Sequence, residues 1–414
     1  MKNGKNLCLT GILIVVAALP ACSSPSSDPT SGIRSAATGS PIKLGFLNQG
    51  SGPLAFPDFA AGGVAAVKKI NATGGINGHV IELVTCSTDG SLAASVRCAD
   101  QFVGDHVAAV VEGIDLSSDS TLPMLTYAGI PLIGHAQFGI DQTNSPDTFF
   151  FGAALGAYYG VPLATLAQKY DARRIAFLNI DSTATRAIAD ANLDPVATEL
   201  GIDLEKVFYP PRGPNYNAVF ASALTSKPDA VLIVASEADC TGLVQAGRAL
   251  GYKGTIFAGS CGQFITADPL SAEGILTDSD VFLPDDADSL PRKAAEQVAI
   301  YREAMKAEPA RNVNAFSQMT FSGMMDLAAA MRGIKGDITA DSVKKSLASI
   351  RQVTSFTGQT VTCDGKQWPN AVSVCAPGLL IYEVEHGKRK LVSDGFVELA
   401  LSTRADGHRA RTQR

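Results

Sequence analysis

The 414-residue chain lacks the signatures of several common protein classes. After residue 21, no apolar run is long and uncharged enough for a membrane-spanning helix, which needs about 20 apolar residues. The patterns G-x-S-x-G, H-E-x-x-H and G-x-G-x-x-G after the first strand are missing, which argues against the common hydrolase, zinc-protease and dinucleotide-binding sites. No CxxC spacing occurs and the five His are scattered. We therefore expect no metal and no cofactor, and an exported hydrolase with a convergent triad is the less favoured alternative.

The charge is modest and acidic. The formal net charge is −6, and removal of residues 1–21, which contain Lys2 and Lys5 but no acid, makes it −8. An acidic surface favours solubility and argues against nucleic acid as a partner. The polar residues 403–414 contain four Arg, and we interpret them as a solvated, disordered tail.

The first 41 residues have the composition of an export and anchoring segment. The 13-residue apolar stretch Leu7–Leu19 has the length of a signal-peptide core. It leads into Leu19-Pro20-Ala21-Cys22, which resembles the bacterial lipobox, where the cysteine takes a diacylglyceryl group. We predict a lipoprotein signal peptide over 1–21, lipidation at Cys22 and a flexible tether over 22–41. An ordinary secretion signal with an incidental cysteine is the alternative.

Six cysteines remain after Cys8 and Cys22 are set aside. An even number in an exported chain favours disulfides, although six cysteines allow 15 pairings. We predict that sequence neighbours pair, because each pair then closes a short loop. The predicted disulfides are Cys86–Cys98, Cys240–Cys261 and Cys363–Cys375.

Short apolar strands alternate with helical stretches, which is typical of parallel βαβ units. Strands such as Ile42–Leu47 and Ala230–Val234 are nearly continuous apolar runs, as expected for strands covered on both faces. One hydrophobic core seldom exceeds about 250–300 residues, so the chain predicts two lobes. Near the C-terminus, Val361–Cys375 and Leu379–Val384 are predicted as antiparallel strands.

Several segments resemble the type I periplasmic binding proteins, in particular the leucine/isoleucine/valine-binding family. The segments, in order, are Ile42–Leu47 with Gly50-Ser51-Gly52-Pro53-Leu54, Ile70-Asn71-Ala72-Thr73-Gly74-Gly75-Ile76-Asn77-Gly78, Ala109-Val110-Val111-Glu112-Gly113 with Ser117-Ser118, Gly129-Ile130-Pro131-Leu132-Ile133, and Lys227-Pro228-Asp229-Ala230-Val231. The resemblance implies an α/β fold of two doubly wound, Rossmann-like lobes with a central cleft and a hinge. Lobe 1 would hold 42–153 and 282–350, and lobe 2 would hold 154–281 and 351–402.

The resemblance also implies a function. A member of this family is a monomeric, extracytoplasmic solute-binding protein that delivers a small molecule to an ABC permease and ATPase, here from a lipid anchor on the cell membrane. A ligand-sensing receptor subunit of the same fold is the alternative.

Ligands of doubly wound sheets bind at the carboxyl ends of the strands, where this chain places polar and aromatic residues. The predicted ligand-binding residues are Ser51, Gly52, Ser117, Ser118, His135, Gln137, Tyr158, Tyr159, Asp181, Thr183 and Glu237. Loop serines that only cap their own loops, and a structural histidine at 135, are the alternatives.

The family's acids that pair with an α-ammonium group are missing at the matching positions of lobe 2, although Glu237 or Asp239 could take their place. A buried ammonium without a partner is costly. We therefore expect leucine, isoleucine and valine to bind weakly or not at all, and the ligand to be an amino-acid-like solute or another small carboxylate or amide.

Overall fold

The computed structural model describes residues 37–52, 55–137, 139–259, 261–283, 290–309, 313–356 and 358–399. The predicted signal peptide, Cys22, most of the tether and the tail at 403–414 lie outside these residues. Among the helices of the described part of the chain, none combines the length and the apolar character needed to cross a membrane.

The first part of the chain alternates strands and helices as the sequence predicts. Its elements are β1 (Gly39–Gln49), α1 (Pro57–Ala72), β2 (His79–Thr88), α2 (Leu92–Gly104), β3 (Val110–Glu112), α3 (Leu122–Tyr127), β4 (Leu132–Gly134), α4 (Ile140–Asn144) and β5 (Thr148–Phe150). The five strands form a parallel sheet in the order β2-β1-β3-β4-β5. Strand β1 begins three residues before the predicted strand at Ile42, because the N–H of Gly39 bonds to the carbonyl of Gly78.

The second part repeats the pattern. Its elements are α5 (Ala157–Lys169), β6 (Arg174–Ile180), α6 (Thr183–Leu200), β7 (Asp203–Tyr209), α7 (Tyr216–Ala223), β8 (Ala230–Ile233), α8 (Glu237–Ala249), β9 (Thr255–Phe257), α9 (Gln263–Ala267), α10 (Pro269–Ala272) and β10 (Leu276–Ser279). The strands are parallel, in the order β7-β6-β8-β9-β10.

The last part of the chain adds helices to the core of the first sheet and two strands to the second sheet. Its elements are α11 (Arg292–Ala304), α12 (Ala315–Arg332), α13 (Ala340–Ala348), β11 (Val353–Thr354), β12 (Thr360–Val361), β13 (Leu380–Glu385) and β14 (Lys388–Leu391). Strand β13 pairs antiparallel with β10 and with β14, which confirms the strand predicted at Leu379–Val384.

The strand predicted over Val361–Cys375 is wrong beyond its first residue. Only β12 forms, paired with β11, and the rest is a loop. Gly365 and Asn370 adopt positive φ angles of 73° and 55°, which an extended strand does not permit. Turns at these two residues therefore interrupt the strand.

The hydrophobic cores divide these elements into two lobes. Helices α1, α11, α12 and α13 contribute Ile70, Tyr301, Phe321 and Leu347 to the core of the first sheet. Helices α5 and α6 cover one face of the second sheet, and α7 and α8 cover the other. The chain therefore passes between the lobes three times: after β5, after β10, and between α13 and β13.

The glycine-rich turn after α1 has a defined physical role. Gly75 has a φ of 72°, and a Cβ there would stand 2.0 Å from the carbonyl oxygen of His79. The side chain of Asn71 pairs with both backbone groups of Ile81, at 2.8 and 2.9 Å. These contacts bring the end of α1 directly onto β2, so the turn sets how the first βαβ unit packs.

All three predicted disulfides are confirmed. Cys86–Cys98 joins β2 to α2, and Cys240–Cys261 joins the first turn of α8 to the loop after β9. Cys363–Cys375 closes the loop that follows β12. Each bond thus connects neighbours in sequence within one region of the fold.

Candidate functional site

A cavity of about 650 Å³, here called the cleft cavity, lies between the lobes. This volume is within the usual range for small-molecule sites. Lobe 1 contributes Asp58, Asn314, Ala315 and Phe316. Lobe 2 contributes Glu237, Gly262, Gln263, Thr266, Ala267 and Arg389.

The wall from lobe 1 is built on the first turns of α1 and α12. The side-chain N–H of Asn314 donates to Asp58 Oδ2 at 2.7 Å. Asn314 also caps α12, since its Oδ1 accepts from the N–H of Ser317 at 3.2 Å. The ring of Phe316 stacks on Phe59 with a centroid separation of 5.1 Å. The carboxylate and the aromatic face are therefore held in place by helix capping and core packing.

The wall from lobe 2 is organised by Glu237, the first residue of α8. Its Oε2 accepts from the backbone N–H groups of Gly262 and Gln263, at 2.9 and 2.8 Å. This bond ties the start of α9 to the start of α8, next to the Cys240–Cys261 disulfide. Nη1 of Arg389 lies 2.9 Å from the position that a Cβ would take on Gly262. The missing side chain at Gly262 thus lets the guanidinium enter the cavity.

The cleft cavity combines two carboxyl groups, one guanidinium, side-chain amides, a hydroxyl and one aromatic face. An arginine binds a carboxylate through two parallel hydrogen bonds, whereas Asp58 and Glu237 accept hydrogen bonds or attract a cation. None of the described residues that line the cavity is a branched aliphatic residue. The cavity therefore suits a small polar solute better than one with a large apolar side chain.

One residue predicted from the sequence, Glu237, lines the cleft cavity. The missed lining residues include Asp58, Phe316 and Arg389. They lie in the first turns of α1 and α12 and on a hairpin strand, three elements from which no ligand-binding residue was predicted. The spacing Asn314-x-x-Ser317, which forms a capping box, was a sequence signal for the start of α12 beside the site.

The predicted serines of lobe 1 lie in the loops after β1 and β3. The Ser51 hydroxyl donates to the Thr88 carbonyl at 3.2 Å, and the Ser117 hydroxyl donates to the Gly90 carbonyl at 2.6 Å. Ser118 is buried, and Gly52 is exposed with a φ of 88°. In this structure the hydroxyls of Ser51 and Ser117 thus connect neighbouring loops, and their ligand role stays a prediction.

Two buried acids, Glu112 and Asp115, lie next to the serine loop after β3. Glu112, at the end of β3, is 2% exposed and Asp115 is completely buried. Glu112 accepts from the N–H of Asp115 at 3.1 Å and from the amide of Gln142. Burial, with a further contribution from the charge of Asp115, raises the pKa of Glu112 to about 8. At neutral pH, Glu112 is therefore mostly protonated.

A second buried polar cluster joins the lobes. His135 Nδ1, after β4, lies 3.3 Å from Oδ2 of Asp280, after β10, and both side chains are buried. Tyr158, in the first turn of α5, also contacts Asp280; burial first, and then Asp280 and Asp278, raise the pKa of its hydroxyl. The structure thus brings the predicted residues His135 and Tyr158 together, through an acid that was not predicted.

The other predicted residues of lobe 2 are Tyr159, Asp181 and Thr183, and none of them lines the cleft cavity. Tyr159 is buried, and its hydroxyl lies 3.3 Å from the Asn179 side-chain nitrogen. Asp181 is exposed and pairs with Arg186 at 2.7 Å. Thr183 is the exposed first residue of α6. The ligand roles of these residues stay predictions.

The predicted residue Gln137 lines a second cavity of about 390 Å³, here called the side cavity. The side cavity lies between α4 of lobe 1 and α6 of lobe 2, beside Trp368. Among the residues that the structure describes, no group of three His, Cys, Asp or Glu side chains is placed to hold a metal ion.

Solved structures with the same fold are numerous. The branched-chain amino acid transporter substrate-binding protein LivJ of Streptococcus pneumoniae, solved with isoleucine, is 21% identical, with a TM-score of 0.67 over 85% of this chain and 99% of that one. The leucine-binding protein LivK of Thermotoga maritima is 16% identical, with a TM-score of 0.69 over 86% and 99%. An ABC transporter substrate-binding protein of Aeropyrum pernix is 15% identical, with a TM-score of 0.72 over 86% and 95%.

These TM-scores establish the shared two-lobed fold. No curated protein matches the sequence. The family model described as periplasmic binding protein matches residues 41–374, which is most of the chain and includes every motif from Ile42–Leu47 to Lys227–Val231. The resemblance found in the sequence is thereby confirmed, and the chain belongs to the periplasmic binding protein family.

Proposed function

We propose that this protein is a lipid-anchored, extracytoplasmic solute-binding protein that captures a small carboxylate- or amide-bearing solute for an ABC permease and ATPase. The observation that carries this proposal is the cleft cavity, because its two walls come from different lobes. A solute that contacts Asp58 and Phe316 on one wall and Glu237 and Arg389 on the other favours the closed arrangement of the lobes.

The charge layout supports a solute with unlike groups at its two ends. Arg389 offers the donors that a carboxylate binds best, and Glu237 and Asp58 offer acceptors. An amino-acid-like molecule with a polar side chain meets this description. Phe316 is the one aromatic residue among the described residues of the cavity wall, and the other apolar side chains there are small, which favours a short or flat carbon skeleton.

Calorimetry against the twenty amino acids, followed by small carboxylates and amides, tests this proposal. We expect a polar, carboxylate-bearing compound to bind with a 1:1 stoichiometry. Leucine, isoleucine and valine should bind weakly or not at all, because no branched aliphatic residue is among the described residues of the cavity wall. LivJ, which has the same fold, was solved with isoleucine, so leucine is the natural competing ligand to test. Submicromolar binding of leucine would contradict the proposed ligand class.

The lipid anchor is proposed from Leu19-Pro20-Ala21-Cys22 and the tether behind it. Acyl chains stabilise membrane attachment by about 0.8 kcal/mol per buried CH₂ group. Cys22→Ala should leave the precursor uncut or release the protein from the membrane fraction. Cys8→Ala, within the signal peptide, is the matched control and should fractionate as the wild type does. Unchanged processing and membrane association of Cys22→Ala would rule out lipidation at this residue.

A further inference from the structure

The side cavity holds a buried side-chain amide without a partner. Gln137 is 2% exposed, and neither its Oε1 nor its Nε2 has a hydrogen-bond partner. A buried amide in this state is less stable than a bonded one, because it has lost its hydration without gaining a partner. Because Gln137 lines the side cavity, a molecule inside that cavity can supply the missing partners.

Two other polar side chains of the lining, Thr143 and Asn192, are already hydrogen-bonded. The Thr143 hydroxyl donates to the Gly139 carbonyl at 2.7 Å, and the side-chain N–H of Asn192 donates to the Ile188 carbonyl at 2.8 Å. Both bonds lie within the helix that carries the residue or at its start. The amide of Asn370 also lines the cavity but is exposed to solvent, so the Gln137 amide is the buried group that would orient a bound molecule.

The rest of the lining sets the chemistry of that molecule. None of the described residues that line the side cavity carries a charge. The apolar lining consists of Ile140, Ala154, Leu155, Ile188, Ala191, Pro195, Trp368, Pro369, Ala371 and Leu399. An ionic ligand would lose its hydration here without gaining a counter-charge. A flat, uncharged molecule can instead place an aromatic ring against Trp368 and these aliphatic side chains.

We propose that the side cavity is a second binding site, which takes a small, flat, uncharged amide. The amide edge of such a ligand donates to Gln137 Oε1 and accepts from Gln137 Nε2, and so satisfies both buried atoms at once. The ligand touches α4 of lobe 1 and α6 of lobe 2, and it therefore stabilises the arrangement of the lobes that forms the cavity. The site is separate from the cleft cavity, and this inference does not depend on the identity of the transported solute.

Calorimetry on the full chain, purified in detergent, tests the proposal with benzamide as the probe and benzoate as a probe of the same shape that carries a charge. We expect saturable 1:1 binding of benzamide at submillimolar concentration and binding of benzoate at least tenfold weaker. Gln137→Leu should weaken benzamide binding roughly tenfold or more, because two hydrogen bonds are lost. Its melting temperature should not fall, since neither polar atom of Gln137 is bonded in the wild-type protein.

Two further variants locate the bound probe. Ala191→Phe adds a ring at an exposed position on the cavity wall, so it should fold normally and abolish benzamide binding. Gln263→Leu makes the same kind of change in the cleft cavity and should leave benzamide binding unchanged. Absence of benzamide binding, equal binding by Gln137→Leu, or loss of binding in Gln263→Leu alone would each overturn the proposal. The first of these results would mean that the side cavity holds only water.

Discussion

Two acids that lie at the carboxyl ends of strands, one in each lobe, have opposite environments. Glu112, at the end of β3 in lobe 1, is buried, and its pKa is raised to about 8. Asp181, after β6 in lobe 2, is exposed, and its hydrogen bond with Arg186 lowers its pKa. At neutral pH the first acid is mostly protonated and the second is ionised. The buried acid is thus kept neutral inside lobe 1, whereas the exposed acid contributes surface charge to lobe 2.

This difference suggests separate tests for residues that affect the stability of the fold and residues that affect solute binding. Lobe 1 buries the Glu112–Asp115 pair behind its loops, whereas lobe 2 uses Glu237 to fix α9 at the cavity surface. Changes in the buried acids should therefore alter the stability of the fold. Changes in the lobe 2 wall should alter binding.

Glu112→Gln should produce the largest effect. Between pH 4.5 and 8 the folded protein keeps the proton that the unfolded chain has lost, so the stability of the wild type falls as pH rises. Each pKa unit corresponds to about 1.4 kcal/mol, which makes this contribution several kcal/mol at most. The variant should lose this pH dependence and be more stable than the wild type at pH 8. Oε1 of Gln142 has no partner and can accept from the new amide after rotation.

Urea unfolding at a series of pH values measures this effect. Asp181→Asn is the matched control from lobe 2 and should leave the slope between pH 5 and 8 unchanged. A Glu112→Gln variant that retains the wild-type slope would show that Glu112 does not carry the proton.

Removal of one disulfide from each lobe should give similar losses of stability but different losses of binding. Short loops of this kind contribute about 3 kcal/mol each. Replacement of Cys240 and Cys261 by Ser frees the loop whose N–H groups bond to Glu237, so solute affinity should also fall. Replacement of Cys86 and Cys98 by Ser should destabilise the fold without that additional loss. Equal losses of affinity in the two variants would contradict the specific role of the Cys240–Cys261 loop in holding Glu237.

Arg389→Gln should have the smallest effect in free energy, although it acts directly on binding. A hydrogen bond to a charged group contributes about 1.5–3 kcal/mol, so the affinity for a carboxylate-bearing solute should fall roughly tenfold to a hundredfold. Lys390→Gln is the matched control, because Lys390 is exposed on the same strand and pairs with Glu385. Calorimetry with the solute identified for the wild type measures both variants.

The fold was predictable because its signals are local and repeated. Continuous apolar strands, alternating helices and the Ile70–Gly78 turn each define one βαβ unit, and such units assemble in few ways. The loop at Val361–Cys375 was wrongly predicted, since its alternating residues resemble a strand while the turns at Gly365 and Asn370 interrupt it. The pairing of Cys363 with Cys375 was nonetheless predicted correctly.

The candidate site was less predictable, because its walls combine residues far apart in sequence. Asp58 and Asn314 are 256 residues apart and form one hydrogen bond, which no local pattern indicates. Arg389 belongs to a hairpin added to the edge of the second sheet, outside the rule that ligands bind at strand ends. Glu112 was more accessible to prediction, since it directly follows the buried apolar run Ala108–Val111.

The most direct test of the proposed function is mass spectrometry of small molecules that co-purify with the protein, with Arg389→Gln and Lys390→Gln prepared in parallel. We predict one small carboxylate- or amide-bearing solute in stoichiometric amount with the wild type and Lys390→Gln, and its depletion from Arg389→Gln. A stoichiometric solute that Arg389→Gln retains fully, or one without a carboxylate or amide group, would contradict the assignment of the cleft cavity as the solute site.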